Sequence, residues 1–391
     1  MQIKSIRRLK NIKGKRVLLR VDFNVPLTRD GKVGQSEDYR IIKTLPTIQY
    51  LISHGAKVII MAHLGRPAGK VNPKFSLKPV AKRLSQLLKQ PVNLSPEIIG
   101  KQTNELIANL KNGEILMLEN VRFDPREEKA DSKFAQALAR LGDIYVNDAF
   151  AVDHRDQASV SAIQKFLPSY AGLLLEQEIL HLSQAIKNPK KPLIVIIGGA
   201  KISTKIKLIK NFLPLSSKIL MGGALANTVL VALGVAVGRS PIEPEMVKEI
   251  NKIKLTDNKL IVPVDGLMAK SYRSKKGRLD AIGDVKKNEF ILDIGPDTLK
   301  LYGKIIRSAK TVMWNGPLGL IENPVFAKGT AALIKILARS RAKTIVGGGE
   351  TVQMIRKLKL EDKFDFISTG GGAMLEFLEG KKLPGLTKLI K

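Results

Sequence analysis

The sequence predicts a two-lobed α/β protein in which each lobe is a parallel sheet flanked by helices, and three observations carry that reading. Short β-branched or leucine-rich runs alternate with longer stretches of helical period along the whole chain, the pattern of parallel α/β units. At 391 residues the chain is long for one hydrophobic core and comfortable for two. At 189–192 the run Pro-Lys-Lys-Pro closes a helix-like segment over 176–187, because proline cannot continue it, and a fresh buried strand follows. The expected organisation is an N-terminal domain over 1–172, a linking helix and hinge over 173–191, and a C-terminal domain over 192–372.

In the first half, strands are expected at 17–21, 57–62, 115–118 and 144–147. In the second half they are expected at 193–197, 218–221, 260–264, 311–314, 344–346 and 366–368. One helix carries Ile41, Ile42, Leu45, Ile48, Leu51 and Ile52 on a single face and stops at Gly55, a good C-terminal cap signal. Another carries Val80, Leu84, Leu87 and Leu88. No internal repeat or low-complexity tract interrupts this order.

Composition narrows the class. Apolar residues make up 44% and charged residues 26%, the balance of a globular chain. No apolar stretch approaches the roughly 20 residues needed to span a bilayer, and the basic N-terminal segment lacks a signal-peptide core, so a cytoplasmic protein is expected. There are no cysteines, which excludes disulfides, thiolate metal sites and cysteine nucleophiles. The formal charge of +31 draws in polyanionic ligands. The cations are spread along the chain without an arginine-rich tail or aromatic interleaving, so nucleic acid is not expected as a partner, although the basic surface leaves it open.

The chemistry-bearing motifs sit where the expected strands end, the place where parallel α/β sheets bind ligands. In the first half the strands run into Asp22-Phe23-Asn24, into His63-Leu64-Gly65-Arg66, into a segment with Arg122, and into Asp148 with His154-Arg155 beyond. Arginine suits such positions because its planar fork matches carboxylate and phosphate oxygens. In the second half the strands run into glycines: Gly198-Gly199-Ala200-Lys201, Gly222-Gly223, Asn315-Gly316-Pro317, Gly347-Gly348-Gly349-Glu350-Thr351 and Gly370-Gly371-Gly372. Glycines let backbone approach phosphates, and a following helix start adds N–H donors. The first half therefore reads as a grip for a small anion and the second as a nucleotide holder. No Walker-type loop and no protein-kinase signature set is present, which excludes both of those kinase classes as models.

Taken in order, these segments resemble the phosphoglycerate kinase family over essentially the whole chain. The matching runs are Arg-Val-Asp-Phe-Asn-Val-Pro at 20–26, Ala-His-Leu-Gly-Arg-Pro at 62–67, Glu-Asn-Val-Arg-Phe at 119–123 and Asn-Asp-Ala-Phe at 147–150. They continue with Gly-Gly-Ala-Lys at 198–201, Trp-Asn-Gly-Pro-Leu-Gly at 314–319, Gly-Gly-Gly at 347–349, Leu-Glu-Phe-Leu-Glu-Gly at 375–380 and Leu-Pro-Gly at 383–385. The resemblance implies two Rossmann-like lobes joined by a helix and hinge, with 373–391 packing back on the first. It implies reversible phosphoryl transfer between 1,3-bisphosphoglycerate and ADP, giving 3-phosphoglycerate and ATP, in glycolysis and gluconeogenesis, by domain closure and charge stabilisation without a general base. The partners so implied are these metabolites and nucleotides with Mg²⁺, acting on a monomer.

By the same resemblance, Asp22, Phe23, Asn24, Arg40, His63, Leu64, Gly65, Arg66, Arg122 and Arg155 bind the phosphoglycerate. Lys201, Lys205, Glu322, Gly348, Gly349, Glu350 and Thr351 bind the nucleotide; Glu350 is the metal carboxylate, and Arg40 and Lys205 are catalytic. Three positions depart from the family pattern. Glu350 stands where aspartate is usual, Thr204 where aspartate is frequent, and His154-Arg155-Asp156-Gln157 replaces His-Arg-Ala-His. Two other readings remain open at this point: an anion-binding protein derived from this fold and acting on RNA, and a kinase for a different carboxylate.

Overall fold

The computed structural model describes residues 2–35, 37–253 and 258–390; the outermost residues of the expected domains, 1 and 391, lie outside them. The chain divides into two compact units, Met1–Leu180 with Gly380–Lys391, and His181–Glu379. The division falls inside the helix Leu173–Lys187, which extends the helix-like segment over 176–187 back to 173, where the linking helix is expected to begin. The helix Gly372–Leu378 and Glu379 group with the second unit, and Gly380–Lys391 with the first.

The first unit is built on β1 (Arg16–Val21), β2 (Lys57–Met61), β3 (Asn93–Leu94), β4 (Ile115–Met117), β5 (Ile144–Asp148) and β6 (Ser169–Ala171). They form one parallel sheet in the order β3-β4-β2-β1-β5-β6. Successive side chains of a strand point to opposite faces, and here both faces are buried. Val17, Leu19 and Val21 pack with Ile41, Ile48 and Leu51 of the helix Tyr39–Ser53 and with Val80 and Leu84 of the helix Lys78–Leu88. Leu18 packs on the other side with Ile59, Leu116, Tyr145 and Phe134. Each such side chain contributes about 1.5–3 kcal/mol on burial, which is why the central strands read as unbroken apolar runs. The helix Tyr39–Ser53 ends as expected before Gly55, whose φ of +72° suits glycine.

The second unit contains β7 (Leu193–Ile197), β8 (Lys218–Met221), β9 (Leu260–Ile261), β10 (Asp265–Ala269), β11 (Arg278–Ala281), β12 (Phe290–Ile294), β13 (Thr311–Asn315), β14 (Lys343–Gly347) and β15 (Phe366–Ile367). Six of them make a parallel sheet in the order β15-β14-β13-β7-β8-β9. The other three form a small antiparallel sheet, β11-β10-β12, which the sequence reading lacks. The strand expected at 260–264 stops at Ile261: Pro263 has no N–H for a ladder, and Val264 is 47% exposed.

The last residues of the chain are bound into the first unit. Lys4 N–H donates to Leu389 O at 2.8 Å, and Ile3 pairs with Ile390. Gly385 lies against the end of β5, donating to Asp153 O at 2.9 Å and accepting from Asn147 Nδ2 and Gln164 Nε2. A side chain at 385 would collide with the Asp153 carboxyl, so this contact demands glycine. Burial pushes the Asp153 and Asp148 carboxyls up to about 7. Between about pH 4 and pH 7 the folded chain therefore holds protons that the unfolded chain has released, and stability falls as pH rises through that window. Asp153→Asn keeps an acceptor for Asn147 Nδ2 without the charge. Its thermal midpoint is expected to exceed the parent's at pH 8, with the difference shrinking by pH 5; a difference that does not change with pH would count against a buried, proton-binding Asp153.

Candidate functional site

Each unit carries a cationic site at the carboxyl edge of its parallel sheet. In the first, β1 delivers Asp22 and Asn24, and β2 delivers His63, Leu64 and Gly65. Arg40, in the first turn of the helix Tyr39–Ser53, reaches back so that Nη1 donates to Asp22 Oδ2 at 2.7 Å and to Asn24 O at 3.1 Å. The Asn24 side chain accepts from Gly65 N–H at 2.9 Å, while Gly65 O accepts from Arg122 Nη1 at 2.8 Å. Gly65 has a φ of +62°, and a Cβ there would strike the Phe75 ring, so a side chain is doubly excluded. These bonds tie the ends of three strands into one platform.

His63 is its centre. The ring is 2% exposed and stands well below the usual histidine range, first through burial and then through the charges of Arg20, Arg122, Arg155 and Arg40. Arg122 is itself lowered to about 10 by burial and by Arg155, and its Nη2 has no hydrogen-bond partner. A buried guanidinium with an unused donor is a strong anion receptor. Of the other sequence candidates, Arg66 is exposed beside Gly65 and stays outside this hydrogen-bonded platform. Phe23 and Leu64 are buried core residues, and Leu64 also lines a cavity with Asn24 and Gly65. In the variant loop, Asp156 accepts from Ser161 Oγ and Gln157 N–H donates to that oxygen at 3.0 Å, while the buried Gln157 Oε1 has no hydrogen-bond partner.

In the second unit Lys205 occupies the corresponding place, between β7 and β13, where successive strands lie on opposite sides of β7. Lys205 Nζ donates to Gly198 O at 2.6 Å, Asn315 Oδ1 at 2.8 Å and Asn315 O at 3.2 Å. It is 7% exposed, and burial lowers it to about 8 against the opposing pull of Glu350. Gly316, with φ +92°, leaves room that a Cβ would take from Lys205 Nζ. A cavity of about 530 Å³ opens here, lined among others by Lys201, Thr204, Lys205, Gly348, Gly349 and Glu350. A second cavity of about 230 Å³ shares Gly199, Ala200, Pro317 and Glu350 with it and carries Glu322 and Tyr272. Asn315 Nδ2 and Thr351 Oγ1 are buried without a hydrogen-bond partner.

Thr204 Oγ1 is spent on Lys201 O at 2.9 Å. Glu350, at the start of the helix Gly349–Lys357, is the carboxylate among the residues lining the larger cavity. No cluster of three or more His, Cys, Asp or Glu able to hold a metal occurs among the described residues. A single carboxylate fits Mg²⁺ held chiefly by nucleotide phosphates and water. Among the described residues no helix is long and apolar enough to cross a membrane.

The family model for phosphoglycerate kinase matches residues 6–381. This chain belongs to the phosphoglycerate kinase family. A phosphoglycerate kinase of Coprothermobacter proteolyticus is 44% identical over 393 residues, covering 100% of this chain and 99% of its own. One from Herpetosiphon aurantiacus is 48% identical over 381 residues, with 96% of each chain covered. Among solved structures, phosphoglycerate kinase from Coxiella burnetii aligns with a TM-score of 0.85 at 39% identity over 99% of this chain and 98% of its own. That from Pyrococcus horikoshii aligns at 0.87 and 34% identity, with the same coverage. Phosphoglycerate kinases transfer phosphate to a carboxyl acceptor, and this chain is an enzyme of that kind. The fold expectation of two parallel-sheet lobes holds, with the small antiparallel sheet added.

Sequence reasoning passed over two residues of these sites. Arg20 and Asn315 both stand inside quoted motifs, yet each is in a strand, and neither was assigned a role. A charged or amide side chain inside an apolar strand run is the signal that marks them.

Lys205 has a consequence for pH dependence. Its charge is present below about pH 8 and is lost above. We expect kcat/KM for nucleotide to fall above about pH 8 with the slope of one proton. Lys205→Arg, whose guanidinium stays charged, should lose that limb whatever rate survives; a limb that persists in this variant would assign it to another group.

Proposed function

We propose that the chain transfers the acyl phosphate of 1,3-bisphosphoglycerate to ADP, and back from ATP to 3-phosphoglycerate, with the acidic metabolite on the first unit and the nucleotide on the second. The observation that carries the reading is the gathering of Arg40, Arg122 and Arg155 around a neutral His63, matched in the other unit by a buried lysine beside a glycine-lined cavity. Arg122 Nη2, Arg155 and Arg66 bind the phosphate end of the glycerate. Asp22 and Asn24 meet its hydroxyl and carboxylate region, and Arg40 moves from Asp22 toward the reacting carboxylate.

On the second unit, Lys201, Gly348, Gly349 and Thr351 line the phosphate path and Glu322 holds the ribose at the rim. Asn315 Nδ2 and Thr351 Oγ1 supply donors that no protein group uses. Lys205 exchanges its three carbonyl and amide acceptors for the phosphoryl group in flight. Glu350 would hold Mg²⁺, and the ion would supply charge neutralisation at the nucleotide phosphates.

An acyl phosphate is already activated and a carboxylate oxygen is a competent nucleophile, so no proton has to be removed. The work left to the protein is positioning and charge neutralisation in a site from which water is excluded. In-line transfer requires donor and acceptor to be brought together, so the account requires the two units to close when both ligands are bound.

The direct test is ATP consumption with 3-phosphoglycerate in a coupled assay, with and without Mg²⁺. Saturable, magnesium-dependent turnover is expected at moderate salt. Folded protein that fails to turn over would move the weight to an anion-binding role. Arg40→Ala should cut kcat by about a hundredfold while leaving thermal stability nearly unchanged, the scale of losing one transition-state charge contact. Unchanged turnover would remove Arg40 from the chemistry. Glu350→Asp should stay active, because it restores the shorter carboxylate usual in the family.

A further inference from the structure

Behind the cationic platform of the first unit lies an arginine that reaches no solvent. Arg20 of β1 is 0% exposed, so it is not placed to meet a ligand directly. All three guanidinium nitrogens are engaged. Nε donates to Ser159 Oγ at 2.8 Å, Nη1 donates to Val21 O, and Nη2 faces His63 Nδ1 at 3.4 Å. Ser159 in turn gives its hydroxyl to Glu127 Oε1 at 2.6 Å and its N–H to Glu127 Oε2 at 2.9 Å. A continuous polar line therefore runs through the core from Glu127 to the histidine.

Stability alone does not account for such a line. Buried ionic groups are often replaced by packed apolar residues with no loss of stability, so their retention asks for another use. A guanidinium has five donors and no acceptor. The ring nitrogen facing it must offer a lone pair, because an N–H there would set donor against donor. The other charged neighbour of Nδ1, Asp22 Oδ1, stands 4.0 Å away, beyond hydrogen-bond reach. That oxygen already accepts from Asn24 N–H at 3.2 Å, and Oδ2 is taken by Arg40.

We infer that Arg20 is a positioning residue that fixes His63 as the Nε2–H tautomer, so that the ring presents the substrate with a neutral hydrogen-bond donor at Nε2. Ser159 and Glu127 hold the guanidinium in the orientation that does this. Arg122, Arg155 and Arg40, which face the ring from the other segments around it, also disfavour the imidazolium. A phosphate or carboxylate oxygen needs a donor, and the opposite tautomer would offer it a lone pair at Nε2. The benefit to catalysis rests on the reading that His63 contacts the phosphoglycerate; the tautomer itself does not.

Nitrogen-15 NMR of the histidine-labelled full chain tests this. The chain has four histidines, and His63 is assigned by its absence from the His63→Gln spectrum. Nε2 should give the protonated, pyrrole-type signal and Nδ1 the bare, pyridine-type signal from pH 6 to pH 8. Arg20→Lys, still a pure donor, should keep that pattern. Arg20→Gln, whose carbonyl can accept, should shift a measurable fraction to Nδ1–H. An Nδ1–H or doubly protonated ring in the parent, or an unaltered ring in Arg20→Gln, overturns the inference.

Should the Arg20 variants fail to fold, the parent spectrum still decides the tautomer, and His63→Gln against His63→Asn reports on its use. Glutamine places its amide near Nε2 and asparagine near Nδ1. The KM for 3-phosphoglycerate should rise about tenfold more in the asparagine variant, the loss of one hydrogen bond to a charged group. Equal, unchanged KM values with an Nε2–H ring uphold the tautomer and overturn the substrate contact.

Discussion

Parallel pairing points the carboxyl end of each strand in a sheet toward the same edge, and both sites depend on that alignment. The register sets Arg20 opposite Met61 and Asn147, so the residues two positions on, Asp22, His63 and Ala149, stand at the same edge. In the second unit Asn315 is opposite both Ile197 and Gly347, which brings Gly198, Gly316 and Gly348 together around Lys205. A slip of one residue would turn every side chain of a strand to the other face. The apolar runs that bury both faces thus fix the chemistry as well as the fold.

Burial then gives these charges their force. His63 is kept neutral, Lys205 and Arg122 are lowered toward the physiological range, and Arg122 keeps an unused donor. A buried cation without a close counter-charge is one that an incoming phosphate or carboxylate would neutralise. Lys205 shows the balance well: three neutral acceptors hold it in place, but none neutralises it.

The central strands were legible in the sequence because they are buried on both faces. β3, with only two residues, and β6, with three, sit at the sheet edges and carry too little pattern to find. The antiparallel sheet was hidden for a different reason. β11 alternates half-buried and exposed residues and includes Arg278 and Asp280, while β10 contains Gly266, so neither looks like a strand by residue preference. In the sites, Arg122 stands out by its position after a strand, whereas Lys205, eight residues beyond β7, is reached only through the family resemblance. Arg20 was not legible, because its meaning lies in Ser159, 139 residues away, and in Glu127 behind it. Phe23 and Leu64 entered through motif membership alone, and their apolar side chains pack in the core.

The central claim is that one unit grips the acidic metabolite and the other the nucleotide. Calorimetric titration of 3-phosphoglycerate and ADP, each alone, into the parent, Arg122→Ala and Lys201→Ala tests it most directly. The account predicts that Arg122→Ala weakens 3-phosphoglycerate about tenfold or more and leaves ADP unchanged, with the reverse for Lys201→Ala. A substitution in one unit that weakens both ligands alike, in protein that remains folded, would contradict it.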